Sequence, residues 1–480
     1  MFNVSAHDVA SSSLAFDKGG WQGGRNWCRC DQCGYAGPWC KVNDTRLISG
    51  GWFVENVREE LDSPGEFFFD KSTDTLYLWP NGTTPPSSLV ATRLETIVHI
   101  VGSSASPVAN VSLTNLGFRD AAAVYMSRRW VVPSGGDWAL YPGGAVTVEG
   151  ADGVVVQGCQ FIRLDATAVH LGGSTRNTRI QSNEFAWLGD SAVSMWGATV
   201  DGWNGLHGEQ PRGTVIQSNT FRELGIYEKQ SSAVFQARSC ATTILNNLMY
   251  NMPRAAINFN DGFGGGNVVK GNVVFNTCRE SGDHGPINTW DREPYLTDVG
   301  GEPSWDPLPT DVSSNMIVAN YGGSQGIDND DGSSWYNIHD NVFYSADGFK
   351  MDYGGHDSYF YSNLVVTMPY DNQNCYNVGV FFPGHGDTVR NNTCIVLGAR
   401  TPEAAEAVGH VGACDNSTWH VAGNAYYTPK GNATVSCGGN TMTLKDAEAM
   451  GLDVGSTTSP LPPNDVLVGW IKDKLTQEEL

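Results

Sequence analysis

The stretch that decides the fold runs from Ser281 to Tyr353 and carries one short pattern three times. The copies are Pro286-Ile287-Asn288-Thr289-Trp290-Asp291, Gly326-Ile327-Asp328-Asn329-Asp330-Asp331 and Gly348-Phe349-Lys350-Met351-Asp352-Tyr353. A β-strand alternates its faces with period 2, so the apolar second residue and the residue two later are predicted to point inward. The other residues of each copy then point outward. The pattern predicts two to three successive coils of a parallel β-helix.

The same frame recurs on both sides of this stretch, which extends the predicted solenoid. Further copies begin at Ala168, Ala192, Ala233, Ala256 and Gly379. We therefore expect an all-β chain folded as a right-handed parallel β-helix, a single-stranded solenoid of about ten coils. The aligned apolar residues should form one inward stack, made of Val169, Val193, Val234, Ile257, Ile287, Ile327, Phe349 and Val380.

A second mark of the repeat is an Asn followed two residues later by an apolar residue. It occurs at Asn183, Asn219, Asn247, Asn272, Asn341, Asn363 and Asn424, and Cys159 stands in the same position of its unit. Asn tolerates a left-handed turn, and its side chain can bond the amide of the next coil. The column is therefore predicted to be structural and not catalytic.

The pattern divides the chain into three parts. Residues 1–95 precede the repeat, and within them two alternating aromatic strands joined through Asp70 to Asp74 predict a β-hairpin packed on the solenoid. Residues 96–440 carry the repeat and the expected catalytic face. In residues 441–480 the segments Leu444 to Gly451 and Val466 to Leu475 are typical of short helical or irregular pieces, which we expect to cap the open end.

The eleven cysteines fall into three groups. Cys28, Cys30, Cys33 and Cys40 fit either two local disulfides, which we favour, or a small zinc site. The cysteines inside the repeat are expected to be buried apolar residues, and those late in the chain could pair between coils. The repeat group is Cys159, Cys240 and Cys278, and the late group is Cys375, Cys394, Cys414 and Cys437.

The charge of the chain restricts its partners. Asp and Glu number 51 against 29 Lys and Arg, giving a net charge of -22 without a basic cluster. This argues against nucleic acid and anionic membranes as partners. No apolar run is long enough to span a membrane. The start of the chain does not have the form of a signal peptide, yet seven glycosylation sequons favour a secreted glycoprotein, expected to be monomeric. The sequons begin at Asn3, Asn43, Asn81, Asn110, Asn391, Asn416 and Asn432.

The outward residues of the middle coils are polar, acidic or aromatic. Stacked coils lie roughly 4.8 Å apart, so these residues are predicted to form one patch, where we place the chemistry. Its members are Asn258, Asn260, Asp261, Asn288, Trp290, Asp291, Asp328, Asp330, Asp331, Lys350 and Asp352.

Three parts of the chain carry a resemblance to a known family: Trp52 to Pro80, the repeat, and Glu280 to Arg292. Together they resemble the right-handed parallel β-helix proteins of the pectin-lyase-like superfamily, most closely the glycoside hydrolase family 141 branch. The string Glu55 to Glu66 marks the architecture of that group more than its substrate. The resemblance covers roughly residues 45–455 and implies hydrolysis of fucose- or xylose-containing glycans of plant or algal type.

The resemblance also implies a pair of catalytic aspartates about forty residues apart, which Asp291 and Asp331 match; Asp330 is an equal candidate for the second. Glycoside hydrolysis needs one protonated and one ionised carboxyl, and clustered carboxylates raise each other's pKa. We lean to retention of configuration, because adjacent coils hold equivalent residues roughly 5 Å apart. The remaining candidates are expected to bind substrate. They are Asp283, His284, Trp290, Asn258, Asn288, Asp261, Asp328, Trp335, Lys350 and Asp352.

Each candidate has a structural alternative. Asp291 could bond Arg292 or a turn amide, and His284 could stabilise a turn. The aspartates at 328, 330 and 331 could form a calcium-binding turn, so Ca²⁺ is a possible cofactor, although hydrolysis requires none. Trp335 could pack instead of holding a sugar ring.

Two other function classes remain open at this point. A lyase or epimerase of uronic-acid polymers would need a base, for which Lys350, Arg254 and Arg292 are the candidates. The acidic patch is poor in bases and repels polyuronates. A non-catalytic glycan-binding or structural β-helix would present a shallow aromatic strip in place of carboxylates in a cleft. We favour the hydrolase.

Overall fold

The fold is a parallel β-helix, as predicted, and it is seen in a computed structural model. The model describes residues 1–19, 54–131, 138–198, 208–260, 264–280, 284–290, 297–299, 302–304, 306–320, 324–352, 354–367, 374–379, 384–397, 407–414 and 419–476. Within these residues the chain winds repeatedly through three long sheets, which we call sheets 1, 2 and 3 in the order in which each coil passes them. Sheet 3 has 12 strands, a little more than the about ten coils expected.

Sheet 1 has 13 strands and is parallel except for its last pair. Its strands are Val98–Val101, Val146–Glu149, Val169–Gly172, Val193–Trp196, Val234–Ala237, Ile257–Asn260, Ile287–Thr289, Ile327–Asn329, Phe349–Met351, Tyr376–Val378, Ala407–Val411, Thr434–Cys437 and Asn440–Thr443. Sheet 2 has 11 strands. They are Ser112–Thr114, Val155–Gln157, Arg179–Gln181, Val215–Gln217, Thr243–Leu245, Val268–Lys270, Thr310–Ser313, Tyr336–His339, Tyr359–Tyr361, Asp387–Arg390 and Trp419–Ala422.

Each strand of sheet 2 is followed by a strand of sheet 3 after a turn of two residues. The strands of sheet 3 are Gly117–Arg119, Gln160–Leu164, Glu184–Leu188, Thr220–Arg222, Leu248–Tyr250, Val273–Thr277, Met316–Asn320, Val342–Tyr344, Leu364–Val366, Thr393–Ile395, Ala425–Thr428 and Thr457–Pro460. Four two-stranded pairs complete the β-structure: Phe2–Asp8 with Ser13–Gly19, Phe67–Asp70 with Thr75–Leu78, Val108–Ala109 with Ala151–Asp152, and Thr297–Val299 with Glu302–Ser304.

The inward stack on sheet 1 has the predicted register from Val169 to Phe349. These residues are fully or almost fully buried in one continuous core. The prediction is wrong for the next coil, where Tyr376 and not Val380 pairs with Phe349. Val380 lies outside the described residues. Tyr376-Asn377-Val378 alternates apolar and polar residues, whereas the segment from Gly379 to Pro383 is an apolar run, so the alternating segment is the one that joins the sheet.

Aromatic side chains fill the core under sheet 3. The rings of Phe118, Phe161, Phe185 and Phe221 stack on successive coils, with centroids 4.7 Å, 4.8 Å and 4.8 Å apart. This spacing equals the distance between neighbouring strands, so one aromatic residue per coil keeps its face against the next. Burial of such columns is what holds coils together, because each coil alone has no closed core.

The Asn column lies in the turn between sheets 2 and 3 and forms a continuous ladder. In each coil the side-chain oxygen accepts the backbone N–H of the equivalent residue one coil earlier, as Asn219 does from Asn183 at 2.9 Å. Cys159 N–H donates to Asn183 at 2.8 Å, so Cys159 does occupy an Asn position. The ladder also includes Asn315 and Asn392, which the sequence pattern had not singled out. The structural role predicted for the column is confirmed.

The predicted hairpin of residues 67–78 is present. The string before it has a structural explanation. Asn56 bonds both backbone groups of Phe69, at 2.8 Å and 3.0 Å, and Glu66 accepts the amides of Asp62 and Ser63 at 2.9 Å and 2.8 Å. These contacts fix the turn that leads into the hairpin. Trp52 and the four clustered cysteines, Cys28, Cys30, Cys33 and Cys40, lie outside the described residues.

Two helices follow the repeat, α1 at Leu444–Ala449 and α2 at Asn464–Thr476, and a 3-10 turn lies earlier at Arg58–Glu60. α1 contacts the last two strands of sheet 1. α2 does not lie across the end; it packs along the outer face of sheet 3 through Leu467, Trp470 and Ile471. No helix among the described residues is long and apolar enough to cross a membrane.

The repeat cysteines are buried, as expected, whereas of the two late pairs one joins adjacent coils and the other lies within one coil. Cys159, Cys240 and Cys278 are buried and not disulfide-bonded. Disulfides join Cys375 to Cys394 and Cys414 to Cys437. Each closes a loop of about one coil, with sequence separations of 19 and 23 residues. They reinforce the late coils near the end of the solenoid.

Candidate functional site

The outer face of sheet 1 carries the predicted polar column. Asn258, Asn288, Asp328 and Lys350 pair in register on four successive strands. Because every second residue faces outward, Asp330 and Asp352 follow on the same face, two residues after Asp328 and Lys350. Backbone hydrogen bonds continue the pairing of the two strands at this point, since the Asp352 N–H donates to the Asn329 carbonyl at 3.1 Å. The sheet itself thus brings the carboxylates together.

Lys350 lies at the centre of a charge cluster, which we call the Lys350 site: Asp328, Asp330, Lys350 and Asp352. The Lys350 Nζ atom is 2.9 Å from Asp328, 3.3 Å from Asp330 and 3.8 Å from Asp352. Asp328 is completely buried, whereas the side chains of Asp330 and Asp352 are 17% and 24% exposed. The site therefore has a buried floor and two carboxylates that solvent can reach.

The buried Asp328 carboxylate is held on both sides. Its Oδ2 atom accepts the backbone N–H of Gly285 at 3.0 Å and the Nδ2 of Asn288 at 3.2 Å. Its Oδ1 atom faces the Lys350 ammonium. A buried carboxylate is tolerated only when it is paired and hydrogen-bonded, and Asp328 meets both conditions.

Lys350 is protonated in this site. Burial alone would lower the pKa of Lys350, but the negative charges of Asp328, Asp330 and Asp352 outweigh that effect and hold its pKa well above the usual value. Lys350 therefore supplies a fixed positive charge and no base near neutral pH.

The structure corrects the predicted accessibility of several outward residues. Asn258, Asn288, Asp328, His284 and Trp290 are all at most 2% exposed. They are covered, and around Trp290 the cover includes Trp138 and Leu140. Among the described members of the patch, partly exposed carboxylates lie at the end toward Lys350.

Trp290 packs and does not offer an open platform for a sugar ring. It belongs to a buried cluster with Trp138, Leu140, Phe235 and Ala237. Its indole Nε1 donates to Asp331 at 3.1 Å. This bond connects Trp290 to the start of the turn that contains Asp331, and it orients the Asp331 carboxylate.

Trp335 is partly exposed and lies in the turn that follows Asp330 and Asp331. Its φ of 62° is in the left-handed region, which a bulky residue adopts only when its surroundings enforce it. Its ring meets the His356 ring edge-on, with centroids 5.0 Å apart. Both a packing role and a role in sugar binding are consistent with this position.

Two buried groups next to the Lys350 site serve structure. Arg254 is completely buried and directs its Nη2 to Asn288 Oδ1 at 3.2 Å and to His284 Nδ1 at 3.3 Å. The His284 carbonyl accepts the Cys278 thiol at 3.0 Å and the Ser324 amide at 3.0 Å. The His284 backbone carbonyl thus joins two neighbouring segments, and the side chain contacts Arg254.

Three predicted site residues, Asp291, Asp283 and Asp261, lie outside the described residues. For the calcium alternative, the three aspartates do not converge on one point. Asp328 and Asp330 face the Lys350 ammonium, whereas Asp331 accepts from Trp290. A divalent cation between Asp328 and Asp330 would have to displace that ammonium.

A second polar group was missed in the sequence. His356, Asp357 and His385 meet in the turn between sheets 1 and 2, and Asp357 Oδ2 is 2.8 Å from His356 Nδ1 and 2.6 Å from His385 Nδ1. The available signal was the Gly-His pair at 355–356, repeated 29 residues later at 384–385. Because 29 residues is also the local register between coils, that repetition places the two histidines side by side.

Comparison with known proteins found similarity to solved structures. No family model matches it, and no curated protein matches it. A solved structure described as a glycoside hydrolase is 15% identical, with 70% of this chain and 57% of that chain covered and a TM-score of 0.48. An alginate lyase solved with G6 is 12% identical, with 70% and 66% covered and a TM-score of 0.38.

A third structure is the catalytic unit of a thermostable GH87 alpha-1,3-glucanase from Streptomyces thermodiastaticus strain HF3-3. It is 13% identical, with 56% of this chain and 47% of that chain covered and a TM-score of 0.37. The chain thus spans about half the length of the two hydrolase structures that it matches. It is similar to all three in the course of its backbone.

Proposed function

We propose that the protein is a glycoside hydrolase whose active centre lies at the Lys350 site. Its substrate is a fucose- or xylose-containing glycan of plant or algal type, as the resemblance to the glycoside hydrolase family 141 branch suggests. The observation that carries the proposal is the position of Asp330 and Asp352, two solvent-accessible carboxylates on one buried ion pair.

The spacing of these carboxylates suits glycoside hydrolysis. Both contact one ammonium nitrogen, at 3.3 Å and 3.8 Å, so these oxygens can be no farther apart than the sum of those distances. In inverting enzymes the two catalytic carboxyls are about 6.5–9.5 Å apart, and the limit here lies below the upper end of that range. The limit also allows the separation of about 5 Å that retaining enzymes have. A pyranose ring or a water molecule can be served by carboxylates at either separation.

Asp330 is assigned the role of nucleophile or of base for water. Its carboxylate is partly exposed and is held 3.3 Å from the Lys350 ammonium, so it can face a bound sugar. The proton for the leaving glycosidic oxygen comes from a second carboxyl. Asp352, 3.8 Å from the same ammonium nitrogen, is the candidate that its position supports, and Asp291 is the candidate that the resemblance implies. Asp331 holds the turn through Trp290 and positions Asp330, its chain neighbour.

The same geometry argues against a lyase. Lyases of uronic-acid polymers need a neutral base to remove a carbon-bound proton, and Lys350 is held protonated. Arg254 is completely buried and bonded to Asn288, so it cannot reach a polymer. The exposed carboxylates would also repel a polyuronate. A neutral glycan avoids this repulsion.

The proposed setting is extracellular. Disulfides persist in oxidising compartments, and this chain has two of them in its late coils. The proposal includes glycosylation at some of the sequons and action as a monomer without a required cofactor.

The experiment is a screen of the purified chain on aryl-glycosides and on plant and algal polysaccharides, with reducing ends and products analysed. Asp330→Asn and Asp291→Asn should each lower turnover by a factor of roughly 10² or more and leave the fold intact. Asp473→Asn, in exposed helix α2, is the matched control and should keep full activity. Products with an ultraviolet-absorbing unsaturated ring, or full activity in both site variants, would refute the hydrolase.

A further inference from the structure

The strongest unexplained group in the molecule is the His356–Asp357–His385 trio. All three side chains are partly exposed, at 14%, 33% and 37%. One ligand atom from each residue lies within 4.8 Å of the other two. The imidazole ring centroids are only 4.0 Å apart. Two rings and one carboxylate therefore converge on a single point that solvent can reach.

The solenoid builds this arrangement from equivalent positions of adjacent coils. Residues 359–361 pair with residues 388–390, and the same offset places His356 beside His385. Asp357 is tied to the later coil from its own backbone, because its N–H donates to the Gly386 carbonyl at 3.1 Å. The trio is thus held by the strand register and does not depend on a free loop.

His356 is oriented from its other side as well. Its backbone N–H donates to Ser334 Oγ at 3.2 Å, and its carbonyl accepts the Trp335 N–H at 3.1 Å. The Trp335 ring abuts the imidazole edge. Fixed orientation of an imidazole by its surroundings is a common feature of metal-binding histidines.

The donor set selects a class of ion. Two imidazole nitrogens and one carboxylate oxygen suit Zn²⁺ and related transition metals, whereas Ca²⁺ and Mg²⁺ prefer oxygen ligands only. Tetrahedral bonds of about 2.0–2.2 Å place ligand atoms roughly 3.4 Å apart, so the Nδ1–Oδ2 contacts of 2.8 Å and 2.6 Å must open by about 0.6–0.8 Å. Three protein ligands leave one tetrahedral position for water or another oxygen ligand.

We propose that His356, Asp357 and His385 form a binding site for one Zn²⁺ ion, with an open fourth coordination position. The ion joins two adjacent coils in the turn next to Trp335. This inference does not depend on the hydrolase activity proposed for the Lys350 site.

A second histidine–carboxylate group provides the internal contrast. His339 lies 2.9 Å from Asp311 through Nε2 and 2.9 Å from Asp340 through Nδ1. Its carboxylates lie at the two separate ring nitrogens, and Asp340 also bonds Lys474 at 2.7 Å. This group has a similar composition but does not converge, so it should bind no zinc.

The test is titration of the chelator-treated full chain with Zn²⁺ alone, by calorimetry and by metal analysis after dialysis. His385→Gln should bind one zinc ion fewer per chain than the unsubstituted protein, while His339→Gln should bind the same number. Circular dichroism of each variant checks that the coils remain folded. Zinc should raise the Tm of the unsubstituted protein and of His339→Gln more than that of His385→Gln.

The clustered cysteines at 28–40 could bind zinc as well, so stoichiometry alone is not decisive. An ion held there would persist in His385→Gln, and only the difference between the two proteins reports on the trio. Co²⁺ gives a second criterion, because thiolate ligands add strong near-ultraviolet absorption that imidazole and carboxylate do not. Equal zinc binding by the unsubstituted protein and His385→Gln would overturn the proposal. A thiolate spectrum for the Co²⁺ ion that the unsubstituted protein binds and His385→Gln does not bind would also overturn it.

Discussion

Two buried carboxylic acids should make the stability of this protein fall as the pH rises. Glu228 is only 7% exposed and Asp190 only 1%. They lie in turns from sheet 3 back to sheet 1 on adjacent coils, where the Glu228 N–H donates to the Gly189 carbonyl at 2.8 Å. Burial, reinforced by the charge of Asp190, raises the pKa of Glu228 to about 8, and burial raises the pKa of Asp190 to about 6.

The sign follows from proton linkage. A carboxyl whose folded-state pKa is raised keeps its proton when the unfolded chain has already lost it. Its contribution to stability is present in full below the unfolded pKa of about 4.5 and is lost as the pH rises through the folded pKa. For Glu228 the pKa shift from 4.5 to about 8 makes this window pH 4.5 to 8.

The magnitude follows from the size of that shift. One pKa unit corresponds to about 1.4 kcal/mol, so the full effect of Glu228 is on the order of 4–5 kcal/mol above pH 8. About 1.4 kcal/mol of it has already been lost at pH 5.5, one unit above the unfolded pKa. Between pH 5.5 and pH 9 the expected loss from Glu228 is therefore about 3 kcal/mol.

The perturbation is Glu228→Gln, which removes the titration and keeps the shape. The Gln oxygen can still accept the Gln230 amide, which Glu228 Oε1 accepts at 3.1 Å. Relative to the unsubstituted protein, the variant should gain about 3 kcal/mol on going from pH 5.5 to pH 9. Denaturant unfolding followed by tryptophan fluorescence at the two pH values measures this difference.

Two neighbouring positive charges are present in both proteins. They are the Met1 amino group and Lys229, which oppose the shift. The matched control is Glu280→Gln, because Glu280 is 51% exposed and bonds the same Lys229 at 2.9 Å. It should leave the pH dependence unchanged. Parallel stability curves for the unsubstituted protein and Glu228→Gln would refute the reasoning.

Two further predictions concern the face and the ladder of the solenoid. Lys350→Met should destabilise the fold by about 3–5 kcal/mol, since it leaves Asp328 buried and without its ion pair. In denaturant unfolding, the double variant with Asp328→Asn should regain most of this lost stability. An unchanged unfolding midpoint for Lys350→Met alone would contradict the prediction. Asn315→Ala should cost about 1–3 kcal/mol because the buried Asn272 N–H loses its acceptor at 3.0 Å. The exposed Asn440→Ala should change the unfolding free energy by less than about 0.5 kcal/mol, and an equal loss in both variants would show that the ladder has no special role.

Much of the fold could be predicted from the sequence, because its determinants repeat locally. Strands of a solenoid alternate with period 2, and one coil stacks on the next, so Val169 to Phe349 could be aligned by their neighbours alone. The Asn column could be assigned for the same reason. Each position reports a turn conformation and a bond to the equivalent position one coil away.

The register failed where two local patterns competed. Tyr376 and Val380 lie four residues apart and each could supply the apolar residue of the stack, and it is Tyr376 that pairs with Phe349. The Tyr376 side chain reaches Asp453 at 3.4 Å, and Tyr426 donates to the same carboxylate at 2.8 Å. This contact joins residues 77 positions apart, so no short window contains it.

The composition of the candidate site was thus determined by the sequence, and its accessible part by the tertiary structure. Alternation places Asn258, Asn288, Asp328 and Lys350 on one outer face. Which of them meets solvent depends on what lies over that face, and there Trp138 packs on Phe235 in a cluster that also contains Trp290. Periodicity is a property of neighbouring residues, whereas burial and charge pairing arise from contacts between segments far apart in the chain. For that reason only the folded chain separates the buried floor of the site from the carboxylates that solvent can reach.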